Sequence, residues 1–186
     1  NKDHLENVWD NMPLDANIAI RCGGKSQIAV IDCDDKNVSG TYQNILQYLR
    51  GLGFEKDSLP IVKTASGVGR HIYMTLSDVI TGNYKTISTN FGAGEFRHGT
   101  GAYVVAPPSY VNDNGMYEVI SGDIAHLPEV RWKDIVPLVN ESNISQGDDK
   151  PSISRYGKRL LNGDCLENYP SRSEHEAALV ASLINT

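Results

Sequence analysis

The most constraining feature of this 186-residue chain is a short apolar run, Ile28-Ala29-Val30-Ile31, which ends in Asp32-Cys33-Asp34-Asp35. Consecutive apolar residues rich in β-branched side chains favour a buried strand. Because side chains alternate along a strand, Asp32 and Asp34 share one face, with Cα atoms about 7 Å apart. Two carboxylates this close resist joint ionisation, and a divalent cation removes the conflict.

Short strands and glycine-rich turns account for most of the remaining pattern. A helical period at Tyr42, Ile45, Leu46 and Leu49 predicts a helix that ends at Gly51 and Gly53. Further helices are predicted at residues 4–12, 153–161 and 173–184. Strands are predicted at residues 17–21, 27–31, 61–65, 70–76, 95–97, 103–106 and 116–120. The fold class that follows is α+β, with a domain over residues 1–138, a linker over 139–152 and a helical segment over 153–186.

Composition excludes several classes of protein. The chain has 17 Lys and Arg against 23 Asp and Glu, a net charge of −6, which argues against holding nucleic acid by bulk charge alone. No apolar run approaches the roughly 18 residues of a membrane span, and no signal peptide opens the chain, so we expect a cytoplasmic protein without a membrane partner. Cys22, Cys33 and Cys165 are too widely spaced for a zinc ribbon. The chain lacks an initiator Met and stops inside a helical pattern, so we expect a piece of a longer protein.

A third acid, Glu95, extends the chemistry of the aspartates. Alternation puts Glu95 and Arg97 on one face of a strand and Phe96 in the core. If that face meets the aspartates, three carboxylates can hold two Mg²⁺ or Mn²⁺ ions about 3.5–4 Å apart, as in polymerases and nucleases. Alternatively, the aspartates open a hydrated loop, and Glu95 forms a surface ion pair with Arg97 that contributes little stability. The residue pattern leaves both readings open.

The segment Ser66-Gly67-Val68-Gly69-Arg70-His71 predicts a tight loop that leads into a strand, with His71 on the polar face. Backbone N–H groups, Arg70 and His71 suit contact with a triphosphate, and Arg97 adds a second phosphate contact. A plain β-hairpin whose glycines serve the turn is the alternative. Gly23-Gly24-Lys25-Ser26 is not a nucleotide-binding P-loop, because residue 19 is Ala and a strand follows instead of a helix.

These segments, in this order, resemble the bifunctional DNA primase/polymerase family of the archaeo-eukaryotic primase superfamily. The likeness covers about residues 14–120. The segments that carry it are Asn17-Ile18-Ala19-Ile20, Ala29-Val30-Ile31-Asp32-Cys33-Asp34, Thr64-Ala65-Ser66-Gly67-Val68-Gly69-Arg70-His71-Ile72-Tyr73, Gly94-Glu95-Phe96-Arg97 and Tyr103-Val104-Val105-Ala106-Pro107-Pro108-Ser109.

The resemblance implies an RRM-like primase/polymerase catalytic core with mixed or antiparallel sheets flanked by helices, followed by a small C-terminal helical segment. It implies a nucleotide-contacting His71 and three acids, Asp32, Asp34 and Glu95, that bind two Mg²⁺ or Mn²⁺ ions with a (d)NTP. The family often has Ser where this chain has Gly69, so Ser66 would supply the hydroxyl. The third acid of the family is often Asp, which makes Glu95 one methylene longer. Ser109 would line the nucleotide pocket.

The expected function is that of a template-directed DNA primase/polymerase, which transfers nucleotides from a (d)NTP to a 3′-hydroxyl on a DNA template and primer. Residues 171–180 are similar to helical segments that follow such domains in phage and plasmid replication proteins, which implies a helicase domain in the full-length chain. Two other functions remain open: a metal-dependent nuclease or phosphodiesterase, and a non-catalytic DNA-binding module of a replication initiator.

Overall fold

The computed structural model describes residues 10, 16–80, 82, 84–99, 101–111 and 115–140. Most of the predicted helix at 4–12, Cys165 and the helical segment over 153–186 lie outside these residues, as does the predicted linker beyond residue 140. Val139 and Asn140, which were predicted to open the linker, pack against the domain: Val139 bridges Ile87, and the N–H of Asn140 donates to the carbonyl of Thr86 at 2.9 Å.

Short strands dominate the described part of the chain. The strands are β1 (Ile18–Arg21), β2 (Ile28–Cys33), β3 (Ile61–Lys63), β4 (Arg70–Leu76), β5 (Tyr84–Thr86), β6 (Gly94–Arg97), β7 (Tyr103–Ala106), β8 (Tyr110–Val111), β9 (Gly115–Met116), β10 (Glu118–Ser121) and β11 (Glu129–Val130). The α-helices are α1 (Thr41–Gly51) and α2 (Trp132–Ile135), and 3₁₀ turns lie at Gly24–Ser26, Lys56–Ser58 and Val136–Leu138. In these described ranges, no helix is long and apolar enough to cross a membrane.

The structure is mixed α+β with mostly antiparallel sheets, in agreement with the predicted class. The central sheet has the order β10-β3-β4-β2-β6-β5, and β11 adds to the end of β4 as the parallel neighbour. β1 pairs with β7 and β8 pairs with β9 in two small antiparallel sheets. β2 therefore lies in the middle of the large sheet, between β4 and β6.

Several strand boundaries differ from the sequence prediction by one residue, and three differences are larger, each for a local reason. β2 continues to Cys33 instead of ending at Ile31, because both neighbouring strands pair with Asp32 and Cys33. β3 ends at Lys63, since the N–H of Gly67 bonds the carbonyl of Thr64 and starts a turn. The predicted strand over 116–120 is divided in two at Tyr117, whose N–H donates to the carbonyl of Ser109 at 2.8 Å.

Apolar side chains cover both faces of the central sheet. On one face, Ile45, Leu46 and Leu49 of α1 belong to one core with Ile31 and Phe96. On the other face, Val30, Val62 and Tyr73 form a second core with Cys22 and Val104. The sequence predicts His71 on the polar face of its strand, but the second core covers this face, and the side chains of His71 and Tyr73 are only 5% and 1% exposed. Each fully buried Val, Ile, Leu or Phe side chain in these cores contributes about 1.5–3 kcal/mol to the free energy of folding, relative to an exposed one.

His98 is buried at the edge of the first core, two residues after Phe96 and on the same side of the chain. Its ring lies 5.4 Å from that of Phe96 and 6.2 Å from that of Trp132. Burial, and to a smaller degree the charge of Lys85, lower the pKa of His98 to about 4. The imidazole is therefore neutral in the folded chain at pH 7.

This buried histidine predicts a loss of stability in mild acid. In the unfolded chain His98 takes up a proton near pH 6.5, whereas in the folded chain it does so only near pH 4. The unfolded state therefore binds more protons over this window, and stability falls as the pH falls from about 6.5 to 4. From pH 7 to 5, the free energy of unfolding should fall by about 2 kcal/mol more for the wild type than for His98→Phe. Urea denaturation of both proteins at several pH values checks this. The same pH dependence of the free energy of unfolding in the wild type and in His98→Phe would contradict it.

Candidate active site

A row of side chains crosses the central sheet near the end of β2. Asp32 of β2 lies opposite His71 of β4 on one side and opposite Glu95 of β6 on the other. The row continues to Val62 of β3 and Thr86 of β5. Residues directly opposite on antiparallel strands lie about 4.5–5.5 Å apart, so these side chains share one face of the sheet. The sequence leaves open whether the face of Glu95 meets the face of Asp32. The pairing of β2 with β6 brings these two faces together.

Four members of this row, His71, Asp32, Glu95 and Thr86, line a cavity of about 490 Å³. Asp34, which directly follows β2, joins Asp32 and Glu95 in its wall. Pockets of about 300–1,000 Å³ accept ligands the size of a drug or a nucleotide. The other polar side chains of the wall belong to Lys36, Asn37, Thr64, Ser66, His71, Thr86, Arg97 and Tyr117.

The approach of Glu95 to Asp32 depends on the glycine at the start of β6. Gly94 has φ 145°, and a Cβ at this position would lie 2.0 Å from the carbonyl oxygen of Asp32. The same corner is fixed by the N–H of Asp34, which donates to the carbonyl of Ala93 at 2.9 Å. Only a residue without a side chain lets the two backbones come this close.

The facing carboxylates of Asp32 and Glu95 would repel each other if left alone, since like charges opposite one another destabilise a sheet. Each has a basic neighbour. The Nε2 atom of His71 lies 3.5 Å from Oδ1 of Asp32, and the guanidinium of Arg97 contacts the carboxylate of Glu95. The carboxylates are about one-third exposed, at 31% and 32%, so they face both the basic groups and the cavity.

The imidazole of His71 is buried and only partly satisfied. Its Nδ1 atom has no hydrogen-bond partner in the described part of the structure. The ring lies 5.8 Å from that of Tyr117 and 6.2 Å from that of Tyr73. Because most buried polar groups are hydrogen-bonded, a ring nitrogen of this kind in a cavity wall points to a bound ligand or water.

The donor set of the cavity fits hard divalent cations. Asp32, Asp34 and Glu95 supply carboxylate oxygens, the ligands that Mg²⁺ and Mn²⁺ prefer. Among the described residues, however, no three His, Cys, Asp or Glu side chains are grouped as ligands of one ion. Asp34 accepts a hydrogen bond from Asn37, while Glu95 contacts Arg97. The residues therefore fit in chemistry and location, and metal binding stays a prediction that requires Glu95 to exchange its partner.

Of the two arginines that the sequence suggests as phosphate contacts, the structure brings one to the cavity. Arg97 lines the wall. Arg70 is not among the described lining residues: its Nη1 atom donates to the carbonyls of Gly67 and Gly69 at 2.9 and 2.7 Å. Its guanidinium lies 5.8 Å from the ring centre of Tyr42. In this position Arg70 stabilises its own loop.

The two predicted serines also separate. Ser66 lies in the cavity wall, with its Oγ 2.9 Å from Oγ1 of Thr64. Ser109 is buried away from the wall, where its Oγ accepts from the N–H of Ile18 at 2.8 Å and donates to the carbonyl of the same residue at 3.1 Å. These two hydrogen bonds hold β1 against the segment that follows Pro107 and Pro108.

The structure gives a reason for glycine at position 69. A Cβ on Gly69 would lie 2.6 Å from Oγ1 of Thr64. The hydroxyl of Thr64, in the cavity wall, thus stands where a serine at 69 would place its Cβ.

Sequence reasoning missed Tyr117, Thr64, Thr86, Lys36 and Asn37 as residues of the cavity wall. Lys36 and Asn37 directly follow the acidic cluster, and this proximity was an available signal. Tyr117 carries no such signal, because it arrives from the break between β9 and β10.

A protein-family model described as bifunctional DNA primase/polymerase, N-terminal, matches residues 1–130. The match includes the whole row, from Val62 to Thr86, and the whole described wall of the cavity. No curated protein matches the chain.

Proposed function

Because the chain belongs to the bifunctional DNA primase/polymerase family, we propose that its 490 Å³ cavity transfers nucleotides from a (d)NTP to a 3′-hydroxyl on a DNA template. The observation that carries this proposal is the row in which His71, Asp32 and Glu95 lie side by side. It combines an acidic wall, suited to divalent cations, with a basic group suited to phosphate.

In the proposed reaction, the 3′-oxygen attacks the α-phosphorus of the bound nucleotide. The bond to the bridging oxygen breaks, pyrophosphate leaves, and the proton of the hydroxyl passes to solvent. Two Mg²⁺ or Mn²⁺ ions, when bound to Asp32, Asp34 and Glu95, supply a lowered hydroxyl pKa and charge neutralisation on the leaving group. Because Asp32 and Glu95 extend from paired strands and Asp34 directly follows β2, their backbones would be in place before the substrate arrives, and only the side chain of Glu95 would have to turn.

The basic side chains of the wall would bind the triphosphate. His71 is oriented by Asp32 and donates a hydrogen bond to a phosphate oxygen. Arg97 contacts Glu95 and, in the proposal, moves to the phosphates as Glu95 turns to the ions. The hydroxyls of Thr64 and Ser66 are further donors, and the ring of Tyr117 offers a flat surface for the base or sugar.

The proposal includes the RRM-like core of the family and the division into a catalytic domain over 1–138 and a helical segment over 153–186. It is supported by the family match over residues 1–130 and by α1, which shares one core with β2, β4 and β6. A DNA primer and template would be the macromolecular partners, with a helicase domain further along the full-length chain.

An assay of labelled primer–template with Mn²⁺ tests the proposal. The proposed function predicts that the strand lengthens only when dNTPs are added. Shortening of the strand, with or without dNTPs, would instead assign the three carboxylates to hydrolysis. Salt-dependent DNA binding without any nucleotide binding would indicate a non-catalytic module.

Replacing His71 by alanine should weaken nucleotide binding more than it slows the bound reaction. The loss of a charge-assisted hydrogen bond costs about 1.5–3 kcal/mol, so the KM for dNTP should rise about 10- to 100-fold, with a smaller change in kcat. Initial rates over a range of dNTP concentrations separate the two constants. His126→Ala, at a histidine 85% exposed outside the cavity, is the matched control. An unchanged KM in a folded His71→Ala variant would remove His71 from the site.

A further inference from the structure

A second, smaller cavity of about 170 Å³ lies at the opposite end of β2 from the active site. β2 begins at Ile28, which lies in the wall of this cavity. Ile28 and Asp32 are four positions apart in β2, which is about 13 Å along the strand. The two cavities share none of their described lining residues. The wall of the second cavity is formed by Gly23, Gly24, Gln27, Ile28, Leu76, Val79, Ile80, Gly82, His98 and Gly99.

His98 is the unusual member of this wall. Its side chain is 1% exposed, and in the described part of the structure neither ring nitrogen has a hydrogen-bond partner. Nearly all buried polar groups in proteins are hydrogen-bonded. An imidazole with two unsatisfied nitrogens in a cavity wall therefore points to a group that binds there.

The wall defines the chemistry of that group. No charged residue is among its described members, so nothing in it would neutralise a phosphate. Because burial and Lys85 lower the pKa of His98 to about 4, the imidazole is uncharged at pH 7 and offers one donor and one acceptor. Ile28, Leu76 and Ile80 supply apolar surface.

The size of the cavity and the residues near its mouth further restrict which ligand can bind. At about 170 Å³, the cavity is smaller than the roughly 300 Å³ at which sites for drug-sized ligands begin. It suits a single flat heterocycle with a donor and an acceptor on its edge. Val79, in the wall, is 85% exposed, and Lys25 lies exposed on the turn at Gly24–Ser26. An exposed apolar side chain therefore lies in the wall, and an exposed cation directly follows the wall residue Gly24 in the chain.

We propose that this cavity receives one nucleobase of a DNA strand, unstacked from its neighbours, with His98 hydrogen-bonded to the base edge. Lys25 contacts the sugar–phosphate backbone outside. The inference rests on the proposed function, because that function makes DNA the substrate. His98 lies on the Phe96 side of β6 and Asp32 on the opposite face of the sheet, so a DNA strand that occupies both cavities would pass the end of the sheet, and the bound base would fix its register.

Nitrogen-15 NMR of histidine side chains tests the proposal on the wild-type chain, without metal or dNTP. The probes are the four deoxynucleosides, inorganic phosphate, and a short single-stranded oligonucleotide with or without abasic sites. The ring nitrogens of His98 should shift with a nucleoside and with the intact oligonucleotide. Phosphate and a fully abasic oligonucleotide should leave them unchanged. The absence of a shift with every nucleoside and with the intact oligonucleotide would overturn the proposal.

Variants give an independent readout through fluorescence anisotropy of the labelled oligonucleotide. His98→Phe, which keeps a ring without its hydrogen-bonding atoms, should weaken binding at least fivefold, while His98→Asn should retain part of it. His126→Phe is the matched control and should bind as the wild type does. Equal affinity of the folded His98→Phe chain would contradict the proposal, and if that variant does not fold the NMR result decides.

The outcomes separate this inference from the proposed function. Nucleotide incorporation without a response of His98 would overturn the base pocket alone. A response of His98 without any incorporation would support the pocket as a base-binding site and contradict the proposed catalysis.

Discussion

Replacing Asp32 and Asp34 together by alanine should abolish primer extension, with a loss of at least about 10³-fold, while the fold stays intact. The two carboxylates lie in the wall of the 490 Å³ cavity, and Asp32 is the centre of the row between His71 and Glu95. If these oxygens bind the cations as proposed, their removal raises the barrier by several kcal/mol, and about 4 kcal/mol corresponds to a thousandfold in rate. Stability should not suffer, because the substitution also removes the repulsion between Asp32 and Glu95.

The measurement is the extension of a labelled primer, with far-UV circular dichroism and thermal unfolding recorded on the same samples. Glu55→Ala combined with Asp57→Ala removes the same number of negative charges at exposed positions near the 3₁₀ turn Lys56–Ser58. This control should extend the primer at the wild-type rate. Nucleotide incorporation by the Asp32 and Asp34 double variant would show that the catalytic site is wrongly assigned.

Replacing Gly94 by alanine should destabilise the whole domain and remove activity with it. The added Cβ would lie 2.0 Å from the carbonyl oxygen of Asp32, and the backbone has φ 145°, a conformation that residues with side chains rarely adopt. Relief requires β6 to move away from β2, which breaks the pairing of Glu95 with Asp32. We expect a loss of about 3 kcal/mol or more in the free energy of unfolding, or about 6–12 °C in Tm.

Gly51→Ala is the matched control for this substitution. Gly51 is the last residue of α1, and a Cβ there would meet nothing within 4 Å. Alanine in a helix is favoured over glycine, so this variant should be as stable as the wild type or more stable by about 0.5–1 kcal/mol. Denaturant titration compares the two. A Gly94→Ala chain as stable as Gly51→Ala would mean that the close approach of β6 to β2 is wrong.

Local periodicity was sufficient for the elements that carry the site. The alternation of apolar residues gave β4 its observed bounds, Arg70–Leu76, and the 3.6-residue period placed α1 around Ile45 and Leu49. Alternation also put Glu95 and Arg97 on one side of β6 with Phe96 in the core, as observed. These features depend on neighbours within one segment, so a single sequence is enough to reveal them.

The order of strands and the covering of the sheet were beyond such reasoning. A strand pattern gives the two faces of β2, but not that β4 and β6 are its neighbours, because the pairing residues lie about 40 and 60 positions away. The second core could not be predicted either, because its residues come from distant segments. It buries the face of β4 on which the sequence predicts a polar His71. Tyr117 likewise reaches the cavity from a distant segment.

The position of Arg70 follows from the alternation of side chains along a strand. Arg70 and His71 are consecutive residues of β4, so their side chains point to opposite faces of the sheet. His71 lines the cavity, whereas Arg70 lies over the ring of Tyr42, which packs against the core containing α1. Period-2 reasoning also places His98 on the core side with Phe96, and its burial follows from that position.

A crystal of the chain soaked with a dNTP and Mn²⁺ and measured by anomalous diffraction tests the central claim most directly. We expect anomalous density for manganese bounded by the carboxylates of Asp32, Asp34 and Glu95, with the triphosphate beside His71 and with Glu95 released from Arg97. Manganese and nucleotide bound elsewhere, with the three carboxylates in contact with neither, would contradict the account.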